Sequence, residues 1–239
     1  MENKRIALVS GGNKGIGLEI ARQLAKAGVT VIIGARNDDR AASALEDLNS
    51  NGLNVQSVHL DLDKPESLAA AETKIKAQYG RLNILVNNAG VFDFADATPS
   101  KASINAVRRV MEVNFFGALA LTQVMLPLLR NAPEGRIVNI SSSLGSLTLN
   151  GDPNSTFYAQ QYIGYNASKA ALSMLTVQLN EELSDTNIKV NSVSPGFVKT
   201  DLTGYGEMTP EEGARLPVQF ALNSVETGGF FEPKGRTPW

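Results

Sequence analysis

The sequence contains no cysteine and only one histidine among its 239 residues. The absence of cysteine excludes a disulfide framework, a thiol nucleophile and any zinc or iron–sulfur site built on thiolates. A single histidine, His59, is too few for a histidine-rich metal centre, and any serine–histidine–aspartate chemistry would depend on that one ring. We therefore expect no metal site, and we assign His59 no catalytic role.

The sequence also lacks an excess of charge of either sign and a long apolar run. Its 22 Lys and Arg and 24 Asp and Glu give a net charge of −2, which offers no electrostatic footprint for nucleic acid or an anionic membrane. The longest apolar stretch, residues 115–129, contains Thr122, Gln123 and Pro127 and is too short and too polar to span a bilayer. The first apolar residues are too few for a signal peptide. These features predict a cytoplasmic protein with no nucleic-acid or membrane partner.

What the chain does contain is an alternation of short β-branched runs with longer segments of helical periodicity. The predicted strands are residues 5–9, 29–33, 55–60, 84–86, 137–140 and 188–193. The predicted helices are residues 15–28, 38–49, 65–79, 102–130 and 167–183. This order predicts an α/β fold, a Rossmann-type doubly wound parallel sheet with helices on both faces. Without a linker or repeat, we expect one domain over residues 1–239.

A glycine-rich turn, SGGNKGIG at residues 10–17, follows the first predicted strand and opens the first helix. Backbone N–H groups at a helix N-terminus, with glycines that let a ligand approach, make a binding site for a pyrophosphate. The spacing Gly11-x-x-x-Gly15-x-Gly17 differs from the commonest dinucleotide motif. Taken alone, the turn is also compatible with tight packing and no ligand.

The charges near this turn predict which nucleotide binds. A free ribose is bound by a carboxylate after the second strand, whereas a 2′-phosphate requires cations. Here Arg36 follows the second strand and Lys14 lies inside the glycine turn, while Asp38 and Asp39 are expected to cap the next helix. The sequence therefore favours NADP(H).

Two residues of one helix, Tyr165 and Lys169, suggest acid–base chemistry without histidine. Their spacing of four places both side chains on one helix face. A phenol with a pKa of about 10 exchanges protons poorly at neutral pH unless a nearby cation favours its phenolate. One such pair is weak evidence, because tyrosine and lysine are common residues.

Further polar motifs lie where the carboxyl ends of parallel strands would bring them together. Ser142 ends the fifth strand, NNAG at residues 87–90 ends the fourth, and Pro195-Gly196 follows the sixth. Asn114 lies within an apolar helical run, where its side chain needs a partner. Each motif alone also has a purely structural explanation.

Together these motifs resemble the short-chain dehydrogenase/reductase family over essentially the whole chain. The resemblance implies that Tyr165 protonates a carbonyl oxygen during reduction and takes a proton in the reverse direction. It implies that Lys169 lowers the pKa of Tyr165 and binds the nicotinamide ribose, that Ser142 orients and polarises the carbonyl, and that Asn114 anchors a water in a proton relay. The choice of Ser142 over Ser141 and Ser143 rests on the N-x-S-S pattern of the family.

The resemblance also implies a set of cofactor contacts. Asp61 matches the position beside the adenine, Asn88 lines the cofactor groove, and Thr200 and the Val198 backbone match positions that contact the carboxamide. The expected cofactor-binding residues are Gly11, Asn13, Lys14, Gly15, Ile16, Gly17, Arg36, Asp61, Leu62, Asn88, Ala89, Gly90, Tyr165, Lys169, Pro195, Gly196, Val198 and Thr200.

The segment between Ser142 and Tyr165 is longer than in many members of the family, and the carbonyl-reductase branch carries extra residues there. The ending TGGFFEPKGRTPW is also similar to that branch. The resemblance therefore implies NADPH-dependent reduction of a ketone or aldehyde. We expect the substrate cavity to be apolar and partly aromatic, lined by Phe92, Leu144, Tyr158, Tyr162, Phe197, Leu202 and Tyr205.

Several alternatives stay open at this point. A reductase of 3-oxoacyl groups on an acidic carrier is disfavoured because residues 170–187 carry acids and no Lys or Arg until Lys189, although Arg130 and Arg136 could contribute. A steroid or sugar-alcohol dehydrogenase is possible, as is a non-catalytic NADP(H)-binding sensor. The sequence leaves the substrate, the preferred direction and the oligomeric state (monomer, dimer or tetramer) undecided.

Overall fold

A single eight-stranded sheet runs through the protein in this computed structural model, which describes residues 4–239. The strands are β1 Ile6–Ser10, β2 Thr30–Ala35, β3 Val55–His59, β4 Ile84–Asn87, β5 Gly135–Ile140, β6 Ile188–Val193, β7 Phe230–Glu232 and β8 Gly235–Arg236. Their order is β3-β2-β1-β4-β5-β6-β7-β8. The pairs from β3 to β7 are parallel, and β8 pairs with β7 in the antiparallel sense.

Helices connect the strands and cover both faces of the sheet. They are α1 Gly15–Lys26, α2 Asp38–Ser50, α3 Pro65–Tyr79, α4 Ile104–Met111, α5 Ala118–Arg130, α6 Leu147–Gly151, α7 Ile163–Glu182 and α8 Pro210–Leu222, with a π-helical turn at Glu112–Gly117 and a 3₁₀ turn at Ser143–Gly145. One core cluster joins the sheet to α3, α5 and α7, and a second joins it to α1, α2 and α8. The predicted doubly wound α/β fold is confirmed.

The helical boundaries differ from the prediction where the site is built. The segment predicted as one helix over residues 102–130 begins at Ile104, because Ser103 caps it, and changes to a π-helical turn at Glu112–Gly117 before continuing as α5. Helix α7 begins at Ile163, four residues before its predicted start, so Tyr165 lies in the first turn. Helix α8 and strands β7 and β8 were not predicted.

The helical run Ile104–Arg130 is long and apolar enough to cross a membrane by length and composition alone. Its apolar side chains Leu121, Met125 and Leu129 are fully buried against the sheet in the first core cluster. A core helix of this kind meets the same criteria as a membrane span, and its packing assigns the run to the core.

A row of hydrogen-bonded polar side chains crosses the carboxyl end of the central strands. The Asn87 amide donates to Thr122 Oγ1 (3.0 Å) and to Asn139 Oδ1 (2.8 Å), and the Asn139 amide donates to Thr176 Oγ1 (2.8 Å). Thr176 Oγ1 is in turn 2.8 Å from Ser192 Oγ. Because buried polar groups are costly unless they are paired, this row fixes how β4, β5 and β6 meet α5 and α7.

Candidate active site

Most of the predicted site residues meet in a groove of about 400 Å³ at the carboxyl edge of the sheet, although the predicted catalytic residues Ser142 and Asn114 are not on its wall. Chain order reverses there between β1 and β4, which is where open α/β sheets bind ligands. Predicted residues on its wall are Gly11, Asn13, Lys14, Gly15, Ile16, Gly17, Arg36, Asp61, Leu62, Asn88, Ala89, Gly90, Tyr165, Lys169, Pro195 and Thr200. A second cavity of about 450 Å³, beside Arg136 and Ile188 at the start of β5 and β6, contains none of them.

The glycine turn forms a concave surface that β-carbons at its glycine positions would occupy. Gly11 and Gly15 have φ angles of 63° and 55°, which L-residues with side chains adopt at a cost. A β-carbon on Gly17 would lie 2.4 Å from both Asn88 Nδ2 and the Gly11 carbonyl oxygen. Only glycine permits this close approach of the turn to residues 88–89.

Hydrogen bonds join the glycine turn to the NNAG segment. Ser10 Oγ accepts from the backbone N–H groups of Asn88 (3.0 Å) and Ala89 (3.1 Å) and donates to the Val86 carbonyl (3.3 Å). The Asn88 amide donates to the carbonyls of Ser10 (2.9 Å) and Gly11 (3.2 Å). Asn88 therefore shapes the groove by holding its two walls together.

Besides Lys169, three cations line the groove, one more than the two predicted beside the glycine turn: Lys14, Arg36 and Arg40. Lys14 Nζ lies 3.1 Å from Asp201 Oδ2, which also lines the groove, in an exposed ion pair. Such pairs are weak, so the lysine can exchange this carboxylate for a bound anion at little cost. Arg40 was missed because only cations in the two loops were considered, although the start of α2 was placed correctly at residue 38.

The start of α2 differs in detail from the expectation. Its N-cap is Asn37, whose Oδ1 accepts from the Arg40 N–H at 2.8 Å. Asp38 and Asp39 occupy the first turn instead, where carboxylates are favourable. Asp38 Oδ1 lies 3.0 Å from His59 Nδ1, outside the groove wall.

The three consecutive serines after β5 have different partners. Ser141 is buried and bonded to Ser173 Oγ (3.3 Å), and Ser143 is buried and donates to Glu232 Oε2 (2.6 Å). The partly exposed Ser142 accepts from the Leu144 N–H at 3.2 Å, and its hydroxyl favours a lower pKa of Tyr165. Ser142 is thus the serine that influences the phenol, whereas Ser141 is the one of the three that lies on the groove wall.

Tyr165 and Lys169 lie together, but burial dominates their acid–base properties. Lys169 Nζ is 5.7 Å from the centre of the Tyr165 ring and donates to the Ile140 carbonyl at 2.8 Å. Burial raises the pKa of Tyr165 to about 12, although the Ser142 hydroxyl opposes it. Burial likewise lowers the pKa of Lys169 to about 8. The net shift of the Tyr165 pKa in the protein alone is therefore upward, opposite in direction to the lowering that the resemblance assigns to Lys169.

Asn114 lies in the π-helical turn and is 1% exposed. Its Oδ1 accepts from the Val91 N–H (2.8 Å), and its Nδ2 donates to the Val91 carbonyl (3.0 Å) and to Ser168 Oγ (3.0 Å). Both amide hydrogens are therefore committed to protein partners. The side chain fixes the segment after NNAG against α7, the helix of Tyr165.

Two predicted cofactor residues, Gly196 and Val198, lie outside the groove wall. Gly196 has a φ of 87°, and a β-carbon there would lie 2.7 Å from the Met208 sulfur. Val198 is 3% exposed and pairs with Met208 in an isolated β-bridge. Both residues shape the loop that carries Thr200 to the wall.

Comparison with known proteins agrees with this arrangement. The family model described as short chain dehydrogenase matches residues 5–209. Carbonyl reductase [NADPH] 1 of Rattus norvegicus is 32% identical over 279 aligned positions that cover 99% of each chain. Salutaridine reductase of Papaver bracteatum is 33% identical, over 95% of this chain and 93% of its own.

The chain belongs to the short-chain dehydrogenase family.

Solved structures support the same assignment for this short-chain dehydrogenase. The NADPH-bound carbonyl reductase from chicken fatty liver superposes with a TM-score of 0.86 at 30% identity, covering 99% of both chains. The Pseudomonas aeruginosa RhlG/NADP active-site complex superposes with a TM-score of 0.83 at 30% identity, covering 96% of this chain and 94% of that one.

Aromatic side chains predicted for the substrate cavity lie near Tyr165, but five of the seven predicted residues are not on the groove wall. The Phe92 ring meets the rings of Tyr165 and Tyr162 edge to face, with centroids 5.8 and 5.2 Å apart, and Phe197 meets Tyr205 at 5.3 Å. Phe92 and Leu202 lie on the groove wall. Leu144 and Tyr158 belong to the segment between Ser142 and Tyr165, outside that wall.

The segment after Ser142 is held by the last residues of the chain, which sequence reasoning did not assign to the site. Ser146 Oγ donates to the Pro238 carbonyl (2.7 Å), and the Thr148 N–H donates to the Trp239 carbonyl (2.9 Å). The Trp239 ring stacks on Phe230 of β7, with centroids 5.7 Å apart. These contacts fix α6 beside the site.

Proposed function

We propose that this short-chain dehydrogenase reduces ketone or aldehyde carbonyls with NADPH. The observation that carries the proposal is the Tyr165 phenol on the groove wall, whose pKa of about 12 keeps it protonated and which lies beside Lys169 and Ser142. A protonated phenol next to a polar hydroxyl is the arrangement that a carbonyl oxygen needs when it gains negative charge.

The groove fits a dinucleotide with a 2′-phosphate. The glycine turn at the start of α1 offers backbone N–H groups and a helix N-terminus to a pyrophosphate, and a β-carbon on Gly17 would close it. Lys14, Arg36 and Arg40 place three cations on the same wall, and cations favour NADP(H) over NAD(H). Relatives named for NADPH support this choice.

In the proposed reaction, bound NADPH supplies a hydride to the carbonyl carbon. Ser142 Oγ donates a hydrogen bond to the carbonyl oxygen and holds it near Tyr165. The Tyr165 O–H transfers its proton to that oxygen as the C–O bond becomes an alcohol. Lys169 stabilises the resulting phenolate with its ammonium group. Asn114 holds the backbone at Val91 in place and would anchor the water through which a new proton reaches Tyr165.

The reaction is tested by following the loss of NADPH absorbance with aryl ketones, α-ketoesters and aldehydes. Tyr165→Phe should abolish turnover and leave the affinity for NADPH unchanged, because only the transferable proton is removed. Tyr79→Phe is the matched control, since Tyr79 lies on α3 away from the groove wall, and it should keep normal turnover.

Two results would redirect the proposal. Tight NADPH binding by the wild-type protein with no turnover of any compound in the panel would favour a non-catalytic sensor. Turnover confined to 3-oxoacyl thioesters, to steroids or to sugar alcohols would favour the corresponding dehydrogenases.

A further inference from the structure

Helix α7, which carries Tyr165 and Lys169, has no cap of its own. Its N-cap residue is Tyr162, which makes no side-chain capping bond, and its first turn contains no acidic residue. The first N–H groups of any helix lack partners within the helix and must be satisfied elsewhere. In α7 these groups belong to the turn that includes Tyr165 itself.

A distant segment satisfies these groups at three consecutive positions. The Gly164 N–H donates to Asp96 Oδ1 (2.9 Å), and the Tyr165 N–H donates to Asp96 Oδ2 (2.8 Å). The N–H of Ile163 donates to the carbonyl of Ala97 (3.0 Å). One carboxylate therefore uses both oxygens to hold the turn that presents the phenol.

The Asp96 carboxylate is committed to this contact. It is 5% exposed, and within residues 4–239 no ion pair involves it, so the two N–H groups and the positive end of α7 balance its charge. The approach is close because residue 164 is glycine: a β-carbon there would lie 3.1 Å from Asp96 Oδ2 and 3.1 Å from the Val107 α-carbon.

The same segment also contacts the other side of the site. Val91 is bonded through both its N–H and its carbonyl to the Asn114 amide, and the Phe92 ring packs edge to face on the Tyr165 ring. The chain from Val91 to Asp96 thus connects the π-helical turn to the phenol.

We propose that Asp96 is a positioning residue, which holds the first turn of α7 and thereby sets the place of the Tyr165 phenol beside Ser142. The inference rests on the proposed function, in which Tyr165 gives the proton. Lys169 lies one turn further along and is held independently by its bond to the Ile140 carbonyl. Loss of Asp96 should therefore affect the proton-transfer step more than the binding of NADPH.

The test compares Asp96→Ala and Asp96→Asn with Ser103→Ala in the full-length protein. Asp96→Ala should lower kcat roughly 100-fold, since misplacement of a reacting group by about 1 Å costs that much. Asp96→Asn keeps the shape and one acceptor, so it should lose only about 10-fold. In both Asp96 variants the KM and Kd for NADPH should stay within about twofold of the wild-type values. The substitutions displace Tyr165, whose interaction with the carbonyl oxygen contributes to the chemical step and not to NADPH binding.

Ser103→Ala is the control for a general loss of helix stability. Ser103 caps the neighbouring helix α4 through its bond to the Ala106 N–H, and it is not part of the groove wall. Its variant should retain kcat. Hydrogen exchange at the amides of residues 163–165 should become faster in both Asp96 variants and stay unchanged in Ser103→Ala, a readout that does not depend on activity.

The outcomes separate the two proposals. Wild-type kcat in both Asp96 variants, or an equal loss of kcat in Ser103→Ala, would overturn the positioning role while Tyr165→Phe remains inactive. If the wild-type protein turns over no substrate, or Tyr165→Phe keeps its activity, the proposed function fails, and the exchange measurement still decides whether Asp96 holds the turn. If Asp96→Ala does not fold, the milder Asp96→Asn carries the comparison.

Discussion

Replacement of Lys169 by Met should remove a rise in stability that the wild-type protein shows between about pH 8 and pH 10.5. Lys169 is 5% exposed, and burial lowers its pKa from 10.5 to about 8. Below pH 8 the lysine is charged in both the folded and the unfolded chain, and the folded state bears the cost of the buried charge. Between the two pKa values only the unfolded chain binds the proton, so the free energy of unfolding increases with pH.

The size of the rise follows from the pKa difference. One pKa unit corresponds to 1.36 kcal/mol, so the lysine contributes a rise of about 3 kcal/mol between pH 8 and pH 10.5. Tyr165 acts in the opposite direction at higher pH. Its folded pKa of about 12 lies above the ordinary 10.0, so the unfolded chain loses its proton first and stability falls by about 2 to 3 kcal/mol from pH 10 to pH 12.

The measurement is urea unfolding of the wild-type protein, Lys169→Met and Lys26→Met at pH 7, 8, 9 and 10. Lys26 is exposed at the end of α1, so its variant controls for the loss of one positive charge. The wild-type protein and Lys26→Met should gain stability together, and Lys169→Met should lack the gain. Parallel curves for all three proteins would refute the reasoning, because they would show that Lys169 has the same pKa in the folded and unfolded states.

Three further predictions concern the groove. Ser142→Ala should lower kcat roughly 100-fold, whereas Ser141→Ala and Ser143→Ala should not; a large loss at either flanking serine would move the polarising role there. Arg36→Asp should weaken NADPH binding roughly 10- to 100-fold in a fluorescence titration, and an unchanged preference for NADPH over NADH would contradict the charge argument. Gly17→Ala should abolish NADPH binding, because the added β-carbon would lie 2.4 Å from Asn88 Nδ2 and from the Gly11 carbonyl oxygen. Wild-type affinity for NADPH in this variant would show that the turn does not depend on this close approach.

The parallel core of the fold could be predicted because most central strands are short apolar runs and the others, such as β6 with the sequence IKVNSV, carry β-branched residues among polar ones. Strand β6 was placed at its observed limits, Ile188–Val193. The last two strands, β7 and β8, were not predicted, since they contain only three and two residues and their pairing depends on the tertiary structure. The interruption at Glu112–Gly117 is likewise invisible in apolar periodicity, because a π-helical turn changes the hydrogen bonds and not the pattern.

The chemical groups of the site could be predicted where a local motif carries them, as at Tyr165, Lys169 and Ser142. Their environment could not, since it depends on contacts between distant residues. Asp96 is separated from Tyr165 by 69 positions and gave no sequence signal apart from being a carboxylate in a loop. The pKa of Tyr165 was likewise expected from its cationic neighbour, whereas burial in the folded chain determines it.

The pKa values of Tyr165 and Lys169 also bear on the direction of the proposed reaction. At pH 7 a phenol with a pKa of about 12 is a phenolate in only about one molecule in 10⁵, so the protein alone holds the acid needed for carbonyl reduction and almost none of the base needed for alcohol oxidation. Raising the pH does not simply reverse this balance, because Lys169 loses its charge near pH 8, well before Tyr165 ionises. Under the proposed mechanism, alcohol oxidation would therefore require a further group that lowers the pKa of Tyr165, since neither Ser142 nor Lys169 brings it near neutrality in the protein alone.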